Sequence, residues 1–499
     1  MRYNHVPVMF RYTIFLLSSL VVVAQQPEAR INPQVEGVVN SVSEDHMAAT
    51  LKKLEGFGTR YVLSSEDDPT HGIGAARRWI HDQFVACGPR LEVSEQTFPV
   101  KKGSRQGLVL RDVELANVIA VLPGTIHKDR YLLVTGHYDS LALAYKSGRT
   151  DEQRLNEMVR HGMLDSEARE LIQLIPTSEV PGVRDPEKTA AEPFAPGVTD
   201  DGSGVAAVLE LARAMSKQEY DKTVVFIAFS GEEIGLEGSK AYAAMAQQKG
   251  MDIEAVLNND IIGSDVSGDG RSETNTVRVF GAGPEDSPSR ALLRYTKQVA
   301  ERYVPSMNVE MVFRGDRFLR GGDHLPFVQR GYGAVRFTSA SEKYENQHTA
   351  TDTFANTSVP YAARVARMNA AVLASLALAP APPALNWDYQ SGPNKGGHTP
   401  LLTRGKSGYD AVLHWQANTE PDLAGYAVVI RSTTSPVWQR ETWVGNVTSY
   451  TMPDLSIDDV VIGVKAVDRD GNQSLVSAYL EPVLPSLLGT PATQGSTAR

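Results

Sequence analysis

The sequence predicts an α/β fold, a mostly parallel central sheet flanked by helices, followed by a small C-terminal all-β sandwich. Three observations carry this reading. Short apolar, strand-like runs alternate with helical patterns as far as residue 378; a proline-rich stretch then interrupts the chain; beyond it the pattern becomes short alternating strands between turn residues. Strands alternating with helices argue for parallel pairing with both sheet faces covered, because each crossover lays a helix on the sheet.

In chain order, Arg2 and Arg11 precede a short apolar run from Thr13 to Ala24, the pattern of a secretion signal over residues 1–24. At about 12 residues the run falls short of the roughly 20 that a spanning helix needs. A secreted or periplasmic location is therefore expected, with no stable membrane insertion after signal cleavage. Helical spacing continues at Ser43 to Leu54 and Ile73 to Ala86, on either side of a polar loop holding Gly56, Gly58 and Pro69. Cys87 is the only cysteine, so no intrachain disulfide can form; it is expected as a small buried residue at a helix end.

Strands are expected at Ala116 to Val121, Tyr131 to Thr135, Val224 to Phe229, Ala255 to Leu257, Val277 to Phe280 and Ala334 to Phe337. Helices are expected between them at Val205 to Met215, Ser239 to Gln248 and Ser289 to Arg302, and a last one at Tyr361 to Leu378. Residues 141–196 break the rhythm, being charged and weakly periodic, and read as a partly helical surface insertion. The α/β unit thus spans 40–378. Residues 379–383, Ala-Pro-Ala-Pro-Pro, cannot continue a helix and read as a stiff linker. Strands at Ala411 to Trp415, Tyr426 to Arg431 and Val460 to Val467 place the sandwich in 384–485, with 486–499 as a disordered tail.

Composition is ordinary for a globular protein, with 42% hydrophobic and 22% charged residues over 499 positions. The net charge of -10, with acidic and basic residues intermixed, leaves no basic face for nucleic acid, and that function class is set aside.

The chemistry is carried by the residues just past the strand ends. His137 and Asp139 come after the second expected strand, Glu232 and Glu233 after the third, Asp260 after the fourth, and His348 in the loop after the last. In an open α/β sheet the crevice beyond the carboxyl ends of the strands is where ligands bind. Asp200 and Asp201 precede Gly202-Ser203-Gly204 and a helix start, where one aspartate is explained as an N-cap but two are not. A lone strand-end Asp or loop His is ordinarily a cap or a solvated side chain. Two His and three carboxylates together are what two borderline divalent cations need when one carboxylate bridges them, and such a metal pair binds and activates one hydrolytic water. Adjacent Glu232 and Glu233 diverge, so one can bind metal while the other stands free as a general base.

Five stretches in order, Thr135 to Ser140, Gly197 to Gly204, Ser230 to Glu233, Asn258 to Asp260 and His348 to Thr353, resemble the M28 family of metallopeptidases. The resemblance implies the zinc exopeptidase fold and a zinc-dependent exopeptidase, foremost an aminopeptidase acting on the N-termini of peptide substrates. It implies two zinc ions, with His137 and Asp260 on one, Glu233 and His348 on the other, and Asp200 bridging. Glu232 would be the general base acting on the bridging water, and Asp139 would orient the His137 imidazole. A cis peptide between Asp200 and Asp201 is also implied. Some members place a Tyr directly before the last His; Gln347 stands there, and Tyr344 is the candidate for holding the oxyanion. Gly321-Gly322-Asp323-His324 reads as a loop shaping the substrate pocket, with ligation by His324 the lesser alternative.

Carboxypeptidase or dipeptidase polarity stays open, as does glutaminyl cyclisation, which uses this fold with one zinc and has no need of the complete ligand set. A catalytically inactive, receptor-like binding protein would have lost a ligand or the base, and none is missing. The segments around Trp415, Glu420 to Tyr426 and Val464 to Ser474 resemble a fibronectin type III domain, and the sandwich is expected as a binding module for polysaccharide, a cell surface or its own catalytic domain.

Overall fold

The computed structural model describes residues 31–144, 184–389 and 398–480 apart from Leu319 and Gly408, with scattered positions between 155 and 169. The expected signal at 1–24, most of the 141–196 insertion and the expected tail at 486–499 lie outside the described residues.

Eight strands form the main sheet: β1 (Glu92–Val100), β2 (Val113–Leu122), β3 (His127–His137), β4 (Lys222–Phe229), β5 (Asp252–Asn259), β6 (Thr276–Gly281), β7 (Asn308–Val312) and β8 (Ala334–Ser339). Their spatial order is β1-β2-β4-β3-β5-β8-β6-β7. The central strands β4, β3, β5 and β8 run parallel. The flanks β1-β2, β2-β4 and β8-β6 are antiparallel, and β6-β7 is parallel again.

β4 is buried at every position, as a central strand covered on both faces must be. One face carries helices Ser203–Met215 and Val359–Leu378, both almost wholly buried, with Glu44–Glu55 packed outside them. Helix Pro33–Ser41, N-terminal to the expected start at 40, adds Val35, Val38 and Val39 to this core. It is started by Asn32, whose side chain accepts from Gln34 N at 2.8 Å, and by Pro33 at the first helical position. The other face carries helix Glu237–Gln248, where Phe229, Tyr242, Phe327 and Tyr332 stack with ring centres 6.2 to 6.4 Å apart.

Cys87 ends helix Gly72–Ala86 as expected but is half-buried rather than buried. The linker also differs from a free spacer. Ala381 N donates to Glu420 at 2.6 Å, Asn418 donates to Ala381 O at 2.9 Å, and Lys222 Nζ lies 3.5 Å from Pro380 O.

Beyond it a three-stranded and a four-stranded antiparallel sheet enclose a second core around Trp415, Tyr426, Val428, Ile462 and Val464. Among the described residues no helix is long and apolar enough to cross a membrane.

Candidate metal centre

Every expected ligand sits at or just beyond the carboxyl end of a parallel strand, or on a loop folded over those ends. His137 is the last residue of β3, Asp260 directly follows β5, and Glu232 and Glu233 lie in the turn after β4 that Gly231 opens with φ 79°. Asp200 precedes helix Ser203–Met215, whose start is pressed onto β3. A Cβ on Gly136 would lie 2.7 Å from Gly204 C, so glycine is what permits that approach.

The paired aspartates divide their work. Asp201 is the cap: its carboxylate accepts from Gly204 N at 2.8 Å, His137 N at 3.1 Å and Ile261 N at 3.2 Å, tying three segments together. Asp200 faces the other way, with Oδ1 3.3 Å from His137 Nε2 and Oδ2 3.2 Å from His348 Nε2. The peptide bond between them is cis.

Two overlapping sets of ligand atoms result, His137, Asp200 and Asp260 on one side and Asp200, Glu233 and His348 on the other, the atoms of each set within 4.8 Å of one another. Glu233 Oε2 is 3.0 Å from His348 Nε2, and Asp260 Oδ1 is 4.0 Å from His137 Nε2. His137 Nε2 and Glu233 Oε1 are buried without a hydrogen-bond partner among the described residues. Buried carboxylates and imidazoles gathered this way fit a divalent cation, which would satisfy both orphaned atoms.

The electrostatics point the same way. Burial alone would push the His137 imidazole down, but Asp139 and Asp200 outweigh it and hold it well above its ordinary value. His348 is raised likewise, Glu233 and Asp200 overcoming burial. Burial pushes the Glu232 carboxyl well above the usual range, opposed by His137 and reinforced by Asp260 and Glu233. Protons here balance charge that a cation would balance instead, with the ligands deprotonated.

A family model described as peptidase family M28 matches residues 117–373. A probable zinc metalloprotease of Pyricularia oryzae is 34% identical, over 91% of this chain and 85% of its own length. Another, of Leptosphaeria maculans, is 31% identical over 88% of this chain and 95% of its own. The chain belongs to peptidase family M28. It is a zinc metallopeptidase, a hydrolase of peptide bonds. Among solved structures, the aminopeptidase LapA of Legionella pneumophila overlays with a TM-score of 0.48 at 18% identity, covering 71% of this chain and 77% of that one.

Within this M28 centre Asp139 has a wider task than expected. Its carboxylate accepts from Glu232 N and Glu233 N at 3.2 Å each, fixing the turn that carries both glutamates. It lies 3.6 Å from His137 Nδ1, while the nearer partner of that nitrogen is the Asp139 carbonyl at 3.1 Å. Tyr344 is exposed on the rim of a cavity of about 440 Å³ that Glu232, Glu233 and Asp200 also line. His324 belongs to neither ligand set; its Nε2 is 2.7 Å from Gly315 O, and Gly321 of the same loop lines the cavity.

Three buried charged residues support the centre; Asp352 falls within the His348 to Thr353 stretch, while Arg336 and Arg60 fall in none of the five stretches. Asp352 accepts from Thr199 N and Asp200 N at 2.9 Å each, clamping the backbone that carries Asp200. Arg336 brings Nη2 to 2.9 Å from Asp260 Oδ1, an ion pair outside hydrogen-bond alignment, and donates from Nη1 to Asp316 at 2.8 Å. Arg60 donates to the carbonyls of Tyr138, Pro196 and Gly197, at 2.5 to 2.9 Å, and so joins the end of β3 to the Asp200 loop. Arg60 stands 136 residues from Pro196, so no local pattern marks it; Asp352 lies in a recognised stretch, but its contact with Thr199, 153 residues away, is set by the fold.

Backbone strain gathers at the same place. Ile261, directly after Asp260, has φ 62°, and His348 has φ 54°. Left-handed backbone in a β-branched residue is a genuine outlier, costing on the order of 1–3 kcal/mol, and Ile261 adjoins the candidate ligand Asp260.

Proposed function

We propose that this chain is an exported exopeptidase, foremost an aminopeptidase, working with two zinc ions per chain. The observation that carries the reading is the Asp200 carboxylate, which offers one oxygen to each histidine. His137 and Asp260 would hold one ion, Glu233 and His348 the other, with Asp200 shared. Two zinc ions so held would supply Lewis acidity toward a scissile carbonyl and lower the pKa of water toward neutrality.

The chain's own groups do the rest. Glu232 belongs to neither ligand set yet lines the cavity, which supports a role as the base that would take a proton from the attacking water and return it to the leaving amine. Asp139, bonded to the backbone of both glutamates, keeps ligand and base in their separate directions. Tyr344, on the rim, is the group nearest in kind to an oxyanion donor. Export rests on Arg2, Arg11 and the Thr13 to Ala24 run. The C-terminal sandwich is read as fibronectin type III-like.

The test is a panel of amino-acid p-nitroanilides and N-blocked peptides, with chelator and with zinc restored. Hydrolysis of free-amine substrates should vanish on chelation and return with zinc, and metal analysis of active protein should give two zinc per chain. Chelation should also lower the melting temperature, because an ion bound only by the folded state stabilises it. Full activity in metal-free protein, or cleavage confined to N-blocked peptides, would overturn the proposal.

A further inference from the structure

The cavity over the ligand sets has an unusual wall. Four arginines from three separate segments line it: Arg105 in the turn after β1, Arg184 at the end of the insertion, and Arg317 and Arg320 in the loop after β7. Arg317 is neutralised, with Nη1 2.9 Å from Glu342 and Nε 3.4 Å from Asp316. Among the described residues the other three are not. Arg320 donates at 3.0 Å to Gln347, a neutral amide, and Arg105 and Arg184 have no ion pair among the described residues.

The carboxylates in the cavity do not account for these charges. Asp200, Glu233 and Asp260 are committed to the ligand sets, Asp260 is also paired with Arg336, and Glu232, the fourth, forms no ion pair with these arginines among the described residues. Apolar wall is sparse, Leu143 and Leu236 being its aliphatic members, so a leucine or phenylalanine side chain would meet guanidinium groups instead of a greasy pocket. Guanidinium presents a planar fork that matches a carboxylate, and a charge-assisted bond there is about twice as strong as a neutral one.

Resting on the peptidase reading, we propose that this cavity selects substrates carrying a carboxylate, held by Arg184 and Arg320 with Arg105 at the mouth. That carboxylate has two sources: an acidic side chain on the N-terminal residue, or the free C-terminus of a very short peptide. A site built to hydrogen-bond a substrate group rejects the analogue that lacks it far more strongly than an apolar pocket rejects a missing methylene.

Two matched pairs, given to the zinc-loaded full chain, separate the sources. One is glutamyl- against glutaminyl-p-nitroanilide; the other is the dipeptide Leu-Gly against Leu-glycinamide. In one pair the carboxylated member should have at least about tenfold higher kcat/KM, mostly through KM, and the ratio should shrink as salt rises. Arg320→Gln should lower that ratio at least about tenfold, while Arg320→Lys, which keeps the charge but loses the fork, should retain part of it. Arg184→Gln repeats the test at a position that does not bond Gln347. Equal rates within both pairs, or a ratio that neither substitution moves, would overturn the inference and leave the peptidase reading standing. No hydrolysis of any member would overturn the aminopeptidase reading, and this inference with it.

Discussion

Glu232 and Glu233 are adjacent and chemically identical, yet only the second joins a ligand set. Glu233 Oε2 sits 3.0 Å from His348 Nε2, while Glu232 lines the cavity outside both sets. Their backbone amides both rest on Asp139, so the turn cannot rotate one carboxylate into the place of the other without breaking those bonds. Glu232→Gln should keep both zinc ions and lower kcat by at least about 100-fold, the usual scale for a lost general base. Glu233→Gln should lose part of its zinc and recover activity as zinc is added. Metal content and kcat across a zinc titration decide between them. A Glu232→Gln protein short of one zinc, beside a Glu233→Gln protein with both, would exchange the assignments.

At the level of elements, legibility followed burial. β4 and helix Val359–Leu378, buried along nearly their whole lengths, were plain in the sequence as an apolar run and a long helical pattern. The edge strands β1 and β7 were not, because β1 is mostly exposed and carries Pro99, and β7 is five residues long. The ligands were legible because strand ends and short motifs keep them together. The task of their supports was not: Asp352 lies in the His348 to Thr353 stretch, but it reaches the Asp200 loop only through the fold. That clamp is testable. Asp352→Asn leaves one oxygen for two amide donors and turns an NH2 toward the other, removing a hydrogen bond to a charged group worth about 1.5–3 kcal/mol. The variant should fold less stably and bind zinc about 10- to 100-fold more weakly, the scale seen when a ligand loses its support. Unchanged zinc affinity by competition with a chromophoric chelator would show that the Asp200 loop holds its shape unaided.

For the whole molecule, the direction of the strands separates the sandwich from the chemistry. The centre lies at the carboxyl ends of β3, β4 and β5, which run parallel with β8. β6 is antiparallel to β8, so the turn after β6, carrying Glu285 and Asp286, emerges at the opposite end of the sheet. There the sandwich docks. Arg431, fully buried, reaches Glu285 at 2.6 Å and also Asp286, which Arg294 pairs from the other side; Arg294 Nε donates to Pro436 O at 3.0 Å. Lys222 at the start of β4, 0% exposed and 2.8 Å from Glu254, approaches the linker at the same end. Breaking a buried ion pair from one side costs about 3–5 kcal/mol, less here because Asp286 keeps Arg294 and Glu285 is half exposed. Arg431→Ala should therefore loosen the docking without reaching the centre. In calorimetry the sandwich should melt ahead of the peptidase unit, at a lower temperature than in the parent chain, while kcat on a small p-nitroanilide at 25 °C stays within about twofold. Removing everything after Pro383 should give the same activity with a lower melting temperature for the remaining unit, since Asp286 loses Arg431 and the linker loses Glu420 and Asn418. A tenfold fall in kcat from either change, in protein that is folded and zinc-loaded, would mean that the sandwich acts on the centre through the sheet, and the separation set by strand direction would fail.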